Sequence, residues 1–388
     1  MNKTSLFNIK IDFDKSYDSF IFDKITNKNY LDFMGMYSSL PLGYNHKIFS
    51  SNDFKDEILK VSKLKLVNCE VLSDEFDSFY KSFKDFTKGD NYHFTCTGAL
   101  ANEAAIKTAM WYKGPKPGGY VLSIKNSFHG INSVGNIITT RFDGISERLA
   151  NIPGENIWPH ATDIKSAIEY IKSHTLNGRI TNLQGIIVEP IQATYGDNYL
   201  LKEDLLELRS ICTERDIPLI FDEVQTGFGV SGNVWYSDHL GIEPDIITFG
   251  KKSQVSGIMV KESHSKVFDF PKRLSVTFDG DLIDMVRCKY IIKAIQKNNL
   301  IENATQKGKI FSEGLKQIDN ILNIRSIGLL IAFDLENKDR RDNLVQKLYN
   351  NGMICNPTGT KSIRLRPNLA VREEEIKEAL RLIKISIK

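Results

Sequence analysis

Long apolar runs are missing from this 388-residue chain. No window approaches the roughly 20 apolar residues that a membrane helix requires, so no membrane role is expected and the protein reads as soluble. Cysteine is scarce. The five residues Cys69, Cys96, Cys212, Cys288 and Cys355 are odd in number, widely spread and free of any C-x-x-C pair. That pattern speaks against a disulfide framework and a zinc site, and makes the cytoplasm the expected compartment. Charge of one sign is not in excess either: 51 Lys+Arg stand against 48 Asp+Glu, for a net charge of +3. A balance of this kind implies no nucleic-acid or anionic-membrane surface for the chain as a whole. The N-terminus, Met1 to Asp12, alternates polar and apolar residues and lacks the apolar core of a signal peptide. A P-loop, internal repeats and low-complexity tracts are absent. What remains is a chain that is 41% hydrophobic, ample for a large core, and expected to fold as one large domain with a smaller one attached.

The most informative residues are one acid and one amine. Asp222 directly follows the apolar run Pro218-Leu-Ile-Phe221, and Lys251 stands one glycine after Ile246-Ile-Thr-Phe249. Both runs read as short buried strands of a parallel sheet. Ligands of open α/β sheets bind beyond the carboxyl ends of the strands, so the two groups are expected to face one crevice. Pyridoxal phosphate needs a lysine for its Schiff base and an acid beside the pyridine nitrogen to keep the ring protonated. Taken bare, Asp and Lys at strand ends are more often solvated or ion-paired. The intervening residues leave room for a loop, a short helix around Trp235–Leu240 and a return strand.

The words around these residues carry more. Asp-Glu-Val-Gln-Thr-Gly-Phe-Gly (222–229) followed by Pro-Asp-Ile-Ile-Thr-Phe-Gly-Lys-Lys (244–252) resembles the signature of class III, fold type I aminotransferases. The run Gly-Lys-Lys-Ser-Gln-Val-Ser-Gly-Ile-Met (250–259) resembles most the lysine ε-aminotransferase (L-lysine 6-transaminase) subgroup, whose lysine is not followed by the glycine-rich run common in the rest of the class. The resemblance implies an α/β protein of the PLP-transferase fold type I. Its parts would be a mostly parallel seven-stranded sheet, a smaller α+β C-terminal domain and a short N-terminal segment. The expected boundaries are 1–50 for the N-terminal segment packing with the small domain, 51–281 for the cofactor-binding domain and 282–388 for the small domain.

Along the chain, Ser19–Asp23 and Asn29–Phe33 alternate as a small antiparallel sheet or hairpin does. A turn-rich Ser38–His46 follows; on pattern alone it is a plain turn, while the resemblance makes it the substrate entrance, with Ser38 and Ser39 as candidates. Residues 51 to 90 have a helical pattern that ends at the breaker Lys88-Gly-Asp-Asn91. Next, His93-Phe-Thr-Cys-Thr-Gly-Ala-Leu-Ala passes from an apolar run through Thr97-Gly98 into an alanine-rich helix. Such a turn presents backbone N–H groups at the positive end of a helix dipole, which suits a phosphate. Local pattern alone favours an ordinary helix capped by Thr97. The resemblance to the family's phosphate cup assigns Gly98 and Ala99 to the cofactor.

The strand Gly119–Ile124 leads to Ser127-Phe-His-Gly130, and the resemblance makes Phe128 the residue that stacks on the cofactor ring. The family usually has arginine next; this chain has Ile131. The strand Leu183–Val188 ends at Glu189, read as a member of a structural ion pair. A few residues on, the family's glutamate, which pairs with a C-terminal arginine, is replaced by Thr194. Leu201–Arg215 is a crossover helix. Thr277-Phe278 resembles the threonine that reaches the phosphate of a neighbouring subunit, which implies a homodimer with shared active sites. From Leu282 the pattern is helical to about Ile318. Short strands follow at 321–325 and 329–334, and helices at about 340–351 and 373–387. Between them, Arg364-Leu-Arg-Pro-Asn-Leu matches the family's Arg-x-x-Pro-Pro-Leu, so Arg364 is the candidate for a substrate carboxylate and Arg366 is read as a surface or supporting residue.

By resemblance, then, the cofactor is pyridoxal 5′-phosphate, Lys251 and Asp222 are the catalytic residues, and Gln225 bonds the ring hydroxyl. Gly98, Ala99, Phe128 and Thr277 complete the cofactor site, and Arg364, Ser38 and Thr194 face the substrate. Lys252 is the rival of Lys251. The implied reaction moves an amino group, from a terminal amine as in lysine 6-transamination, to a keto or aldehyde acceptor. Because Ile131 and Thr194 depart from the family's carboxylate-handling residues, the alternative is the same chemistry on a different, specialised amine or carbonyl compound. A non-catalytic protein that only binds the cofactor is a third reading, disfavoured by the joint presence of Asp222, Gln225, Lys251 and Thr277.

Overall fold

The computed structural model describes residues 7–114, 117–141, 158–173, 175–176, 179–180 and 182–388; the first six residues of the N-terminal alternation lie outside the described residues. The chain divides into two units. One comprises Val61–Gly227 and Trp235–Lys289, the other the described part of Met1–Lys60 together with Phe228–Val234 and Tyr290–Lys388.

In the first unit, seven strands form the central sheet: β1 (Asn91–Thr95), β2 (Tyr120–Ile124), β3 (His160–Ala161), β4 (Leu183–Val188), β5 (Leu219–Asp222), β6 (Ile246–Phe249) and β7 (Ser256–Val260). Their spatial order is β1-β7-β6-β5-β4-β2-β3. β7 is antiparallel to both its neighbours, whereas β6, β5, β4, β2 and β3 run parallel, giving the expected mostly parallel sheet. Every residue of β4, β5 and β6 is buried, which is why these strands read as unbroken apolar runs rather than alternations.

Helix α1 (Gly98–Lys113) lies on this sheet. Its alanines Ala101, Ala104, Ala105 and Ala109 pack with Val121, Ile187, Ile220, Ile246 and Ile258 in one core cluster. Small side chains let the helix axis approach the strands, and each buried isoleucine contributes roughly 1.5–3 kcal/mol. At Gly257 a Cβ would collide with the His93 carbonyl oxygen, so the β7–β1 pairing admits only glycine there.

Parallel register sets Asp222 opposite Thr248. Asp222 therefore ends β5, and Lys251 follows two residues beyond the end of β6. Between them sits the short helix α2 (Tyr236–Leu240), preceded by Trp235, which is buried and donates Nε1–H to the Thr87 carbonyl at 3.2 Å. Gly227-Phe-Gly-Val-Ser-Gly232 carries the G-x-G-x-x-G spacing, but it opens no helix: Asn233, Val234 and Trp235 follow it before the five-residue α2, which is not the context of a dinucleotide fingerprint. The helical stretch expected over 51–90 is two helices, Asn52–Val61 and Asp74–Thr87. Ser73 starts the second by accepting the Phe76 N–H at 3.2 Å, a cap that ends the interruption.

In the second unit, Phe20–Asp23 and Lys28–Asp32 form the expected antiparallel hairpin. Met353–Ile354 adds to it in parallel alongside Leu31–Asp32. A four-stranded antiparallel sheet, Leu322–Ile327, Leu330–Asp334, Ser362–Leu365 and Asn356–Thr358 in that order, carries Arg364 opposite Ala332 and Asn356. Arg366 is not at the surface. It is fully buried, with its backbone N–H donated to Phe33 O at 2.7 Å and its Nη1 donated to Leu365 O at 3.1 Å. Residues 362–369 are all buried, so this stretch has no outward face to offer an arginine.

Candidate active site

Asp222 is 5% exposed, and four donors converge on its carboxylate. Oδ2 accepts from Asn102 Nδ2 at 2.8 Å and lies 2.9 Å from His129 Nδ1. Oδ1 accepts from Val224 N at 3.1 Å and Thr248 Oγ1 at 3.2 Å. Burial pushes this carboxyl up, but the bonds and charge from His129, with those from Asn102 and Val224, outweigh it and hold Asp222 below its ordinary value. An ionised carboxylate only accepts, so His129 Nδ1 carries the proton of that bond. The ring's other nitrogen, Nε2, is buried without a hydrogen-bond partner among the described residues. Asn102 also donates to His129 O at 3.0 Å, and the His129 N–H bonds Thr139 Oγ1 at 2.9 Å. His129, Asn102 and Thr248 were not singled out in the sequence. The available signal was position: Asn102 lies one helical turn after Gly98, and Thr248 faces Asp222 across two adjacent strands.

Lys251 begins a 3-10 turn, Lys251–Ser253, with φ at +51°. A left-handed conformation in a lysine is strained, and such residues persist where the surroundings over-determine them. Lys252, its rival, is 1% exposed. The loop after Asp222 docks on the start of α1: a Cβ at Gly98 would stand 3.0 Å from Val224 Cγ1, and one at Gly130, with φ at +118°, 2.8 Å from Ala99 Cβ. Thr97 caps the helix through Leu100 N–H at 3.3 Å. The cap expected on local pattern and the small-residue cradle therefore coexist, and the Gly98 and Ala99 amides precede the helical hydrogen-bond ladder. Gln225 Oε1 is buried with no partner among the described residues.

These features fit pyridoxal phosphate. Asp222 suits the pyridine N–H, Gln225 Oε1 is an acceptor awaiting a hydroxyl, and the Gly98 and Ala99 amides at the start of α1 are donors that suit phosphate oxygens.

Glu189 belongs to the same cluster. It is 4% exposed, and its Oε1 accepts the Phe128 N–H at 2.7 Å. Burial first, and the Asp222 charge second, push its carboxyl up to about 8, against the Phe128 and Ala193 amides and the Lys251 charge. Its hydrogen bonds go to backbone amides, and two cations act on it, Lys251 and Arg141. Phe128 is partly buried, with the Arg141 guanidinium 5.3 Å from its ring centroid. Arg141 also escaped the sequence reading, because it lies ten residues beyond the position the motif directs attention to. Ile131 is 64% exposed, and Thr194 Oγ1 is buried without a partner among the described residues. Thr277 is exposed on a loop whose carbonyls at Val276 and Phe278 are approached by Cys69 Sγ at 3.7 Å and Cys96 Sγ at 3.4 Å.

Ser38 and Arg364 belong to the other unit. Ser38 ends a run of four left-handed residues, Gly35 to Ser38, with φ of +58°, +49°, +57° and +75°. Each non-glycine member costs roughly 1–2 kcal/mol. Asp32 sustains the turn, accepting Met34 N at 3.0 Å, Gly35 N at 2.8 Å and the Tyr44 hydroxyl at 2.6 Å. Ser38 is 1% exposed and its Oγ has no partner among the described residues. Arg364 is buried within its sheet.

Comparison with known proteins agrees with this chemistry. The model of the family described as aminotransferase class-III matches residues 2–387. The L-lysine-epsilon aminotransferase of Streptomyces clavuligerus is 31% identical over 419 residues, covering 98% of this chain and 91% of that protein. Its Mycobacterium tuberculosis counterpart is 31% identical over 414 residues, covering 98% and 92%. The solved lysine aminotransferase from M. tuberculosis in the internal aldimine form superposes with a TM-score of 0.91 at 29% identity, covering 100% of this chain and 96% of that one. With a family match over nearly its whole length and a site to suit the cofactor, the chain belongs to the class-III aminotransferases and is a pyridoxal-phosphate-dependent transaminase.

Proposed function

We propose that this transaminase takes the amino group from a terminal amine of the lysine type and passes it to a keto or aldehyde acceptor. The observation that carries the reaction class is the buried Asp222 carboxylate, held by four donors at one strand end beside the strand that leads to Lys251. The choice of a terminal amine rests on the relatives that act on the ε-amine of lysine, by their names, and match 98% of the chain.

When bound, pyridoxal phosphate supplies an electron sink that makes the carbon bearing the amine acidic. The chain's own groups do the rest. The Gly98 and Ala99 amides bind phosphate oxygens at the helix N-terminus. Gln225 Oε1 accepts the ring hydroxyl, and Asp222, kept ionised by its donors, holds a proton at the pyridine nitrogen. The Lys251 amine acts as the general base that takes the proton from the carbon bearing the amine. The family motif that Arg364 matches supports a bidentate grip of its fork on a substrate carboxylate, and the same resemblance supports Ser38 and Thr194 as substrate-side residues.

Thr277 completes the site of a second copy in a homodimer. Supporting this, Val276 and Phe278 beside it are exposed at 59% and 38%, and Val71 and Leu72, on the segment that packs its loop, at 51% and 75%. The five unpaired cysteines suit a reducing cytoplasm, and among the described residues no helix is long and apolar enough to cross a membrane.

A second reading is favoured by Ile131 and Thr194, neither of which carries a charge where the family handles a carboxylate: the same chemistry on a different, specialised amine. Adding lysine, ornithine and 4-aminobutyrate one at a time, and following loss of the visible absorption band, separates the two. Turnover of lysine with 2-oxoglutarate supports the first; inertness to all three amines with turnover of another amine overturns it.

A further inference from the structure

We infer that Asn102 is a positioning residue of the transamination: its amide joins the Asp222 carboxylate to the His129 turn and keeps the shared proton on the pyridine nitrogen of the cofactor rather than on Asp222. The inference rests on the role given to Asp222 above. Asn102 is 2% exposed on α1, one turn after Gly98, and the other buried residues of that helix are Ala101, Ala104, Ala105, Ile106, Thr108 and Ala109. Thr108 spends its hydroxyl inside the helix, on Ala104 O at 2.8 Å. Among these buried residues, Asn102 is the one that carries a polar group to other elements, donating Nδ2 to Asp222 Oδ2 at 2.8 Å and to His129 O at 3.0 Å. One amide therefore spans the helix that starts at the phosphate cradle, the strand end that holds the acid and the turn that carries Phe128.

Its partners fix which way the amide faces. A backbone carbonyl only accepts, so the NH2 end must point at His129 O, and its second hydrogen is left for Asp222. The other end, Asn102 Oδ1, is buried with no hydrogen-bond partner among the described residues. An orphaned buried acceptor is destabilising, and one that persists beside functional groups calls for a reason. The bonds of Nδ2 supply it. On Asp222 Oδ2, Asn102 Nδ2 and His129 Nδ1 take both lone-pair directions, so a proton settles on that oxygen only by displacing one of them. Without Asn102, one direction stands open and the carboxylate binds a proton more tightly. Opposite a pyridine N–H, a carboxylate of low proton affinity leaves the proton on nitrogen, where it draws electrons from the ring; one of raised affinity takes the proton and leaves the ring neutral.

The test loads the wild type, Asn102→Leu, Asn102→Ala and Thr108→Val with pyridoxal phosphate isotope-labelled at the ring nitrogen, whose NMR shift reads protonation of that atom independently of turnover. Asn102→Leu keeps bulk and removes both donors; Thr108→Val removes a buried hydroxyl of the same helix that does not touch Asp222. A protonated ring nitrogen is expected in the wild type and in Thr108→Val, and a shift toward the unprotonated form in both Asn102 variants. Single-turnover reaction of the Asn102 variants with L-lysine should slow about tenfold to a hundredfold, the worth of one hydrogen bond to an ionised group, while half-saturating lysine and cofactor retention in dialysis stay within about threefold. An unprotonated ring nitrogen in the wild type, Asn102 variants whose resonance matches the wild type, or a slower rate matched by equally weakened lysine or cofactor binding would each overturn the assignment. Should neither Asn102 variant fold and hold the cofactor, the residue is structural and the assignment falls. A wild type with a protonated ring that does not react with lysine sinks the terminal-amine reading, while the resonances still decide on Asn102.

Discussion

Replacing Asp222 by asparagine is the sharpest perturbation of this site, because it keeps the shape and removes the charge. Each carboxylate oxygen accepts two donors: Asn102 and His129 on Oδ2, Val224 and Thr248 on Oδ1. An amide offers one oxygen and one NH2, so whichever way the asparagine turns, two donors confront a donor. Hydrogen bonds to a charged group are worth about 1.5–3 kcal/mol each, so losing two costs roughly 3–6 kcal/mol if nothing relaxes. Turning the NH2 toward Oδ2's partners lets the His129 ring move its proton to Nε2 and accept at Nδ1, which leaves a cost of roughly 1.5–3 kcal/mol for the one bond still lost. The catalytic loss is separate. Removing a unit charge at about 4 Å with an effective dielectric near 20 forfeits about 4 kcal/mol, on the order of a thousandfold in rate. Urea denaturation of Asp222→Asn without cofactor reads the first quantity, and single-turnover loss of the visible band reads the second. A variant that reacts within tenfold of the wild-type rate would refute the role given to Asp222. An unshifted urea midpoint would refute the accounting of its four donors.

Other outcomes follow from the same geometry. Lys251→Ala is expected to lose borohydride-trapped cofactor from its active-site peptide, whereas Lys252→Ala retains it; mass spectrometry that finds the label on Lys252 would reverse the assignment. Gly98→Val should crowd Val224 and block the phosphate cradle, costing about 1–3 kcal/mol of stability and weakening cofactor retention in equilibrium dialysis at least tenfold. Glu223 is 1% exposed and accepts Tyr236 N at 2.6 Å and Ser237 N at 2.8 Å, and burial pushes it up to about 7 from an ordinary 4.5. A carboxyl raised in the folded state contributes stability that is whole below about pH 4.5 and is lost as pH rises through 7, on the order of 3 kcal/mol across that window. Glu223→Gln does not titrate, so its urea midpoint should change less between pH 5 and 8 than that of the wild type; parallel curves would count against this.

The sequence by itself determined the strands that end at Asp222 and in front of Lys251, the hairpin at 20–32, the short helix near Trp235 and the glycine-led start of the cofactor helix. These are set by local causes: unbroken apolar runs become buried parallel strands, alternation becomes a half-buried hairpin, and a small-residue turn opens a capped helix. It also determined the reaction class, through words whose chemistry is local to one strand end or one turn. Tertiary structure decided what holds those groups. His129, Asn102 and Thr248 come to Asp222 from separations of 93, 120 and 26 residues, and no periodicity encodes a contact of that length. Arg366, read as a surface or supporting residue, is buried, because the stretch 362–369 around it has no outward face. The raised Glu189 and its neighbour Arg141 have meaning only in each other's presence, since burial and opposing charges act through space and not along the chain.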